Sequence, residues 1–258
     1  MMGTLIKQEL YKIFKKKSSI IIPIIIFIIM IGLAILSKNY SNVIESKLLL
    51  EQGYSGFSWI IFLMIIQAST IITMEFHYGT IKNLLYRNYT RTSIILSKFI
   101  ALFIYSLIVF VLCILISLLL NLTFFSDIDI LKHSGEQLSP LQSLLLTSLA
   151  TYVGMWRILS LTLLLSCILK SPGVSIAVGI VFYFATSILA GILFMAIEQW
   201  EWLKWSPINM LNLSVQILDN DIYKKMTKLE LHELLIGNIA YIVVFLALVV
   251  LVFRKKNV

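Results

Sequence analysis

Six stretches of this chain are long and apolar enough to exclude water on every side, and that feature narrows the fold more than any other. A helix needs about twenty consecutive apolar residues to cross a hydrocarbon layer. The stretches Ser18–Ser37, Gly56–Met74, Phe99–Leu122, Leu144–Leu169, Val174–Ala196 and Leu234–Phe253 reach or approach that length. Each is continuously apolar rather than alternating, which fits helices and not barrel strands. Composition agrees: 59% of 258 residues are hydrophobic and 13% charged, a balance that water cannot solvate as a soluble domain. The sequence therefore predicts an all-α polytopic membrane protein, with an N-terminal interfacial amphipathic helix over 2–17 and six transmembrane helices in a single domain spanning 1–258.

Lys and Arg decide the expected orientation, because short cytoplasmic loops carry the excess of them. With the N-terminus inside, 13 of the 21 basic residues fall on the cytoplasmic side, while 11 of the 13 acids fall outside. Only Glu9 and Glu75 are cytoplasmic acids. The formal charge of +8 thus reads as a topology signal; a nucleic-acid partner would need a soluble basic surface with reading elements, and none is present. The expected location is a bacterial plasma membrane, with both termini cytoplasmic. Cys113 and Cys167 both lie in expected spans, so no extracellular disulfide framework is implied. The first apolar run follows a Lys cluster as a signal peptide would, but its length and the lack of a small-x-small cleavage site make it a retained helix.

Between Met2 and Lys17 the residues Leu5, Ile6, Leu10, Ile13 and Phe14 recur at helical spacing, with Lys7, Lys12, Lys15 and Lys16 largely opposite. Such a helix lies in the membrane interface. A basic anchor attracted to anionic lipid explains the charges equally well, and the two readings are compatible.

The loop after the second span, Glu75-Phe76-His77-Tyr78-Gly79-Thr80-Ile81-Lys82, continues to Arg91 and Lys98. A carboxylate and several cations at the end of a rigid span can make charge-assisted hydrogen bonds to a partner, and Gly79 lets the backbone turn. Spacing alone favours reading Glu75 and Lys82 as the solvated ends of a helical hairpin, with the basic residues following the positive-inside rule. The ordered pattern resembles the ABC-2 (type V) family of exporter permeases, in which Glu-Phe/Tyr-x-x-Gly-Thr-x-Lys/Arg is followed by an Arg and then by a Lys that begins the third span. The resemblance covers the whole chain as an interfacial helix plus six spans, and this loop residue by residue. It implies that Glu75, Gly79, Thr80, Lys82, Arg91 and Lys98 belong to a coupling loop that docks on a separate nucleotide-binding subunit. No Gly-x-x-x-x-Gly-Lys-Ser/Thr phosphate loop occurs in the chain, so ATP and Mg are expected on that partner and no cofactor here.

Polar groups inside the spans are candidates for a transport path. Gln67, Thr70 and Thr73 share one helix face, where a partner helix or a wet cavity would receive them. In the fifth span Gly173 and Ala177, Ser175 and Gly179, and Ser187 and Gly191 form small-x-x-x-small pairs suited to close helix approach. The resemblance places the second and fifth spans beside a dimer axis and translocation route; packing within one bundle is the alternative. Arg157 falls near the middle of the fourth span with no acid at matching depth. It needs water, carbonyls, another subunit or an anionic substrate group, unless the segment before Trp156 lies at the outer interface instead. The outer stretch from Ile197 to Glu233 carries Trp200, Trp202, Trp205 and Pro207. Trp200 to Leu213 is a candidate re-entrant segment by resemblance, against an aromatic belt followed by a disordered tail.

Catalysis by this chain is not expected. His232-Glu233 lacks the second His of a zinc-peptidase helix, and no metal site is indicated. His77 with Cys167 offers a membrane cysteine peptidase as one alternative. An ion-coupled secondary transporter is another, without the membrane-embedded acids or inverted repeat it usually shows. The expectation is a permease subunit of an ATP-driven exporter, partnered by an ABC ATPase, by a second permease copy or a related chain, and by membrane lipid. Its cargo, by resemblance to Gram-positive lantibiotic-immunity and phenol-soluble-modulin exporters, is a hydrophobic or amphipathic peptide.

Overall fold

The computed structural model describes residues 2–40, 45–80, 86, 89–125, 138–169 and 171–255, and every described element is helical. Helix α1 spans Met2–Lys15 and α2 spans Lys17–Asn39. A short α3, Ser46–Glu51, leads into α4, Gly56–His77. Helices α5, α6 and α7 cover Arg91–Phe124, Pro140–Ile168 and Pro172–Gln199. Two 3₁₀ turns, Glu201–Trp205 and Asn209–Asn212, precede α8, Leu213–Leu218, and α9, Asn220–Thr227. Helix α10, Leu231–Lys255, closes the chain.

Six of these helices, α2, α4 with the preceding α3, α5, α6, α7 and α10, are long and apolar enough to cross a membrane. This is a multi-pass membrane protein. The helices outrun the apolar stretches because polar residues continue the turn before a cap ends it. Thr90 caps α5, its side chain accepting from the Ser93 N–H. Ser139 caps α6 in a reciprocal box with Gln142.

Helix α4 is the central element: 67% of its apolar stretch is inside the protein, against 11% for α7 and 17% for α10. It touches α2, α5, α6 and α7, while α6 packs most extensively on α10. Gly56 allows a close approach, since a Cβ there would come 2.6 Å from both Cys113 Sγ and Met30 Sδ. Hydroxyls inside the bundle mostly bond their own helix, as Thr73 does to the Ser69 carbonyl and Thr162 to that of Ile158; a lipid-immersed helix can thus carry Ser and Thr without water.

Six crossings return the C-terminus to the end where the chain began. Arg91 Nη1 donates to the Arg254 carbonyl, and the rings of Phe76 and Phe253 meet edge to face. We call this the terminal end and the opposite one the far end. Helix α1 does not simply float on lipid. It buries Leu5, Glu9 and Ile13 and packs chiefly on α5.

The stretch from 200 to 230 is folded, which overturns the disordered-tail alternative. Side chains of the spanning helices reach its carbonyls: Tyr241 donates to Trp205, Arg157 to Pro207, and Asn238 to Met210. Arg157 lies roughly 25 Å along α6 from Pro140 at about 1.5 Å per residue. The segment therefore folds back beside the spanning helices.

Candidate functional site

At the terminal end, Glu9 sits between Leu5 and Ile13 on the buried stripe of α1. A carboxylate in that position has to be paired. Its Oε1 accepts from Lys12 at 2.7 Å and its Oε2 from Lys98 at 2.9 Å. Glu75, in the last turn of α4, accepts from both lysines through Oε1 at 2.8 Å each. The result is a closed ring of alternating charge joining α1, α4 and α5, with no net charge of its own. Lys98 is 1% exposed and Glu75 7% exposed. The attraction of the Glu75 and Glu9 carboxylates outweighs the burial that would lower the Lys12 pKa, and holds that ammonium above the usual lysine value.

Beside the ring, Lys16 marks the break between α1 and α2. Its Nζ donates to Thr70 Oγ1 at 2.6 Å and to Gln67 Oε1 at 3.3 Å, and Gln67 Nε2 donates to Ser19 Oγ at 3.0 Å. The Tyr105 hydroxyl donates to the Ser19 carbonyl. Lys16 meets oxygens of neutral groups, and burial pushes its pKa below the ordinary value. A recess of about 270 Å³ opens here, walled by Glu9, Lys12, Lys16, Gln67, Thr70 and Glu75.

These contacts redistribute the residues picked out by sequence. Glu75 is buried rather than exposed: it is turned into the bundle, where it and Glu9 pair with Lys98, one turn into the buried part of α5. Gly79 and Thr80 do lie exposed beyond α4, and Gly79 has φ +66°, a conformation that favours glycine. Arg91 reaches the end of α10. Lys82 falls outside the described residues. Gln67 and Thr70 face the α1–α2 junction, and Thr73 is closed onto its own helix. Gly179 packs against α4, where an added Cβ would meet Ile65 at 2.8 Å, whereas nothing lies near Gly191. Cys167 is buried on α6 and His77 is exposed, its ring against Tyr78. Among the described residues no three His, Cys, Asp or Glu side chains gather as a metal site.

The far end contains a second polar assembly that sequence reasoning did not identify. Asn209 donates to the Lys204 and Thr227 carbonyls, Gln216 to the Leu229 carbonyl, and Thr227 to Gln216 Oε1. All three side chains are buried. They hold the folded-back segment in shape, and Arg157, Asn238 and Tyr241 fasten it to α6 and α10. Arg157 is 3% exposed, and its Nε and Nη2 reach no partner. Of the environments open to it in the sequence, the structure supplies a carbonyl. The signal that could have revealed the fastening was Asn238, an amide inside an apolar run.

The family described as DUF2705, protein of unknown function, matches residues 2–258. A Bacillus subtilis (strain 168) protein described as uncharacterized protein YhcI is 24% identical over 235 residues, covering 83% of this chain and 73% of that relative.

Proposed function

This chain belongs to the DUF2705 family, and we propose that it is the membrane-spanning subunit of an ATP-driven exporter whose nucleotide-binding subunit is a separate chain. The observation that carries the reading is the way both ends of the loop after α4 are tied down. Glu75 and Lys98 enter the same charge ring with α1, and Arg91 bonds the end of α10. Between them Gly79 and Thr80 are exposed, and Tyr78 and Tyr86 are 68% and 85% exposed. A force applied to that loop is passed to four helices at once. Such a loop suits a handle for an ATPase, which then acts on Gly79, Thr80 and Lys82 directly and on Glu75 and Lys98 through the ring.

In this reading the terminal end is cytoplasmic, the membrane is a bacterial plasma membrane, and the cargo is a hydrophobic or amphipathic peptide. Two permease chains complete the pathway. The buried Cys167 weighs against a peptidase, whose thiol must meet a peptide bond.

The test is co-purification of the tagged chain with an ATP-binding-cassette protein encoded beside it, together with survival of cells exposed to an amphipathic antimicrobial peptide. Gly79→Val strains only an exposed turn, so the bundle should melt as the parent does while ATPase capture and protection fall together. Parental capture and protection in Gly79→Val would remove the handle. Cysteines placed at Asn220 and Asn257 check orientation: an impermeant reagent should label the first in intact cells and spare the second.

A further inference from the structure

A cavity of about 500 Å³ opens at the far end, between the first turns of α4, the first half of α6, the second half of α7 and the folded-back segment. That volume lies within the roughly 300–1,000 Å³ typical of small-molecule sites. Its walls mix apolar groups such as Phe57, Ile158 and Phe194 with the hydroxyls of Ser58, Thr151 and Ser214. Among the described residues, no Asp, Glu, Lys, Arg or His lines it.

The lining selects a chemical class. A phosphate or carboxylate entering here would shed water with no ion among the described residues to replace it, and a pure hydrocarbon would leave the hydroxyls unanswered. What fits both halves is an uncharged molecule with an apolar body and a hydroxyl, ester or amide head. Such a molecule arrives from the lipid. Helix α7 forms one wall, and its other face is exposed and apolar through Val181, Phe184, Ile188 and Ile192.

We propose that this cavity binds an uncharged membrane amphiphile of the diacylglycerol type, with wall hydroxyls such as that of Thr151 bonding its head group. Such a site needs no partner subunit and no transport, so it stands or falls apart from the exporter reading.

The full chain in phosphatidylcholine nanodiscs, irradiated with a photoactivatable dioleoylglycerol, should be labelled on α6 and α7, and unlabelled dioleoylglycerol should compete. Thr151→Val keeps the shape and removes a wall hydroxyl; labelling should fall about threefold to tenfold, the range of one hydrogen bond, while the melting temperature without the probe stays level. Gly154→Leu should abolish labelling, because Gly154 lines the cavity and an added Cβ there meets nothing within 4 Å. A photoactivatable phosphatidic acid with the same chains should label these helices far less. Equal labelling by the two probes, or diacylglycerol labelling unchanged in both folded variants, would overturn the proposal.

Discussion

The two ends of the bundle bury charge in opposite ways. At the terminal end Glu9, Lys12, Glu75 and Lys98 neutralise one another in a ring. At the far end Arg157 has a single carbonyl and two nitrogens without a partner. A paired buried charge is costly to break because its removal strands the other, whereas an unpaired one is costly to keep. The first arrangement therefore resists substitution, and the second holds a segment in place at the expense of stability.

The largest effect should come from breaking the ring. Glu75→Gln leaves two lysines facing the single carboxylate of Glu9, and loss of one partner of a buried pair typically costs about 3–5 kcal/mol, toward the lower end here because Lys12 is half exposed to screening solvent. Thermal unfolding in nanodiscs should show a large drop. Adding Lys98→Met restores charge balance and should recover at least half of it; an unrecovered double variant would mean that the ring is not one unit.

A smaller loss is expected at Asn238→Leu, which strands the Met210 carbonyl. An unsatisfied buried group costs about 1–3 kcal/mol, and limited proteolysis should open between Trp205 and Met210 before the bundle melts. Should cleavage and melting coincide, the segment is not a separately fastened unit.

The smallest change in melting should come from Arg157→Met, which keeps volume and removes an unpaired charge. Stability should stay within about 1 kcal/mol of the parent or rise, while proteolysis of the segment increases because the Pro207 carbonyl loses its donor. A collapse like that of Glu75→Gln would erase the contrast between the ends.

Much of the fold is legible in the sequence because continuous apolar runs have one viable solution in lipid. Helix α1 is legible too, from its periodicity. The 3₁₀ turns and α3 are not, since four to six residues carry no periodicity. Each member of the ring is visible as a residue, and Glu9 at the fourth position after Leu5 already stands on the apolar face. The pairing is not visible, because Lys98 meets Glu9 across 89 positions and Lys12 meets Glu75 across 63. Glu75 therefore reads locally as a loop carboxylate. Arg157 was legible as an anomaly whose answer, a carbonyl from a segment 50 residues later, lay outside any local pattern.

The span of the ring along the chain also fixes the order in which it can be built. Synthesis proceeds from the N-terminus, so Glu9 and Lys12 emerge first, Glu75 next and Lys98 last. Until α5 leaves the ribosome, two acids share one of the ring's two lysines, and Lys12 and Lys16 alone tether the start of the chain to α4 by charge. Arrival of Lys98 is thus the event that closes the ring and ties α5 to α1 and α4, before any of α6, α7 or α10 exists to pack against them.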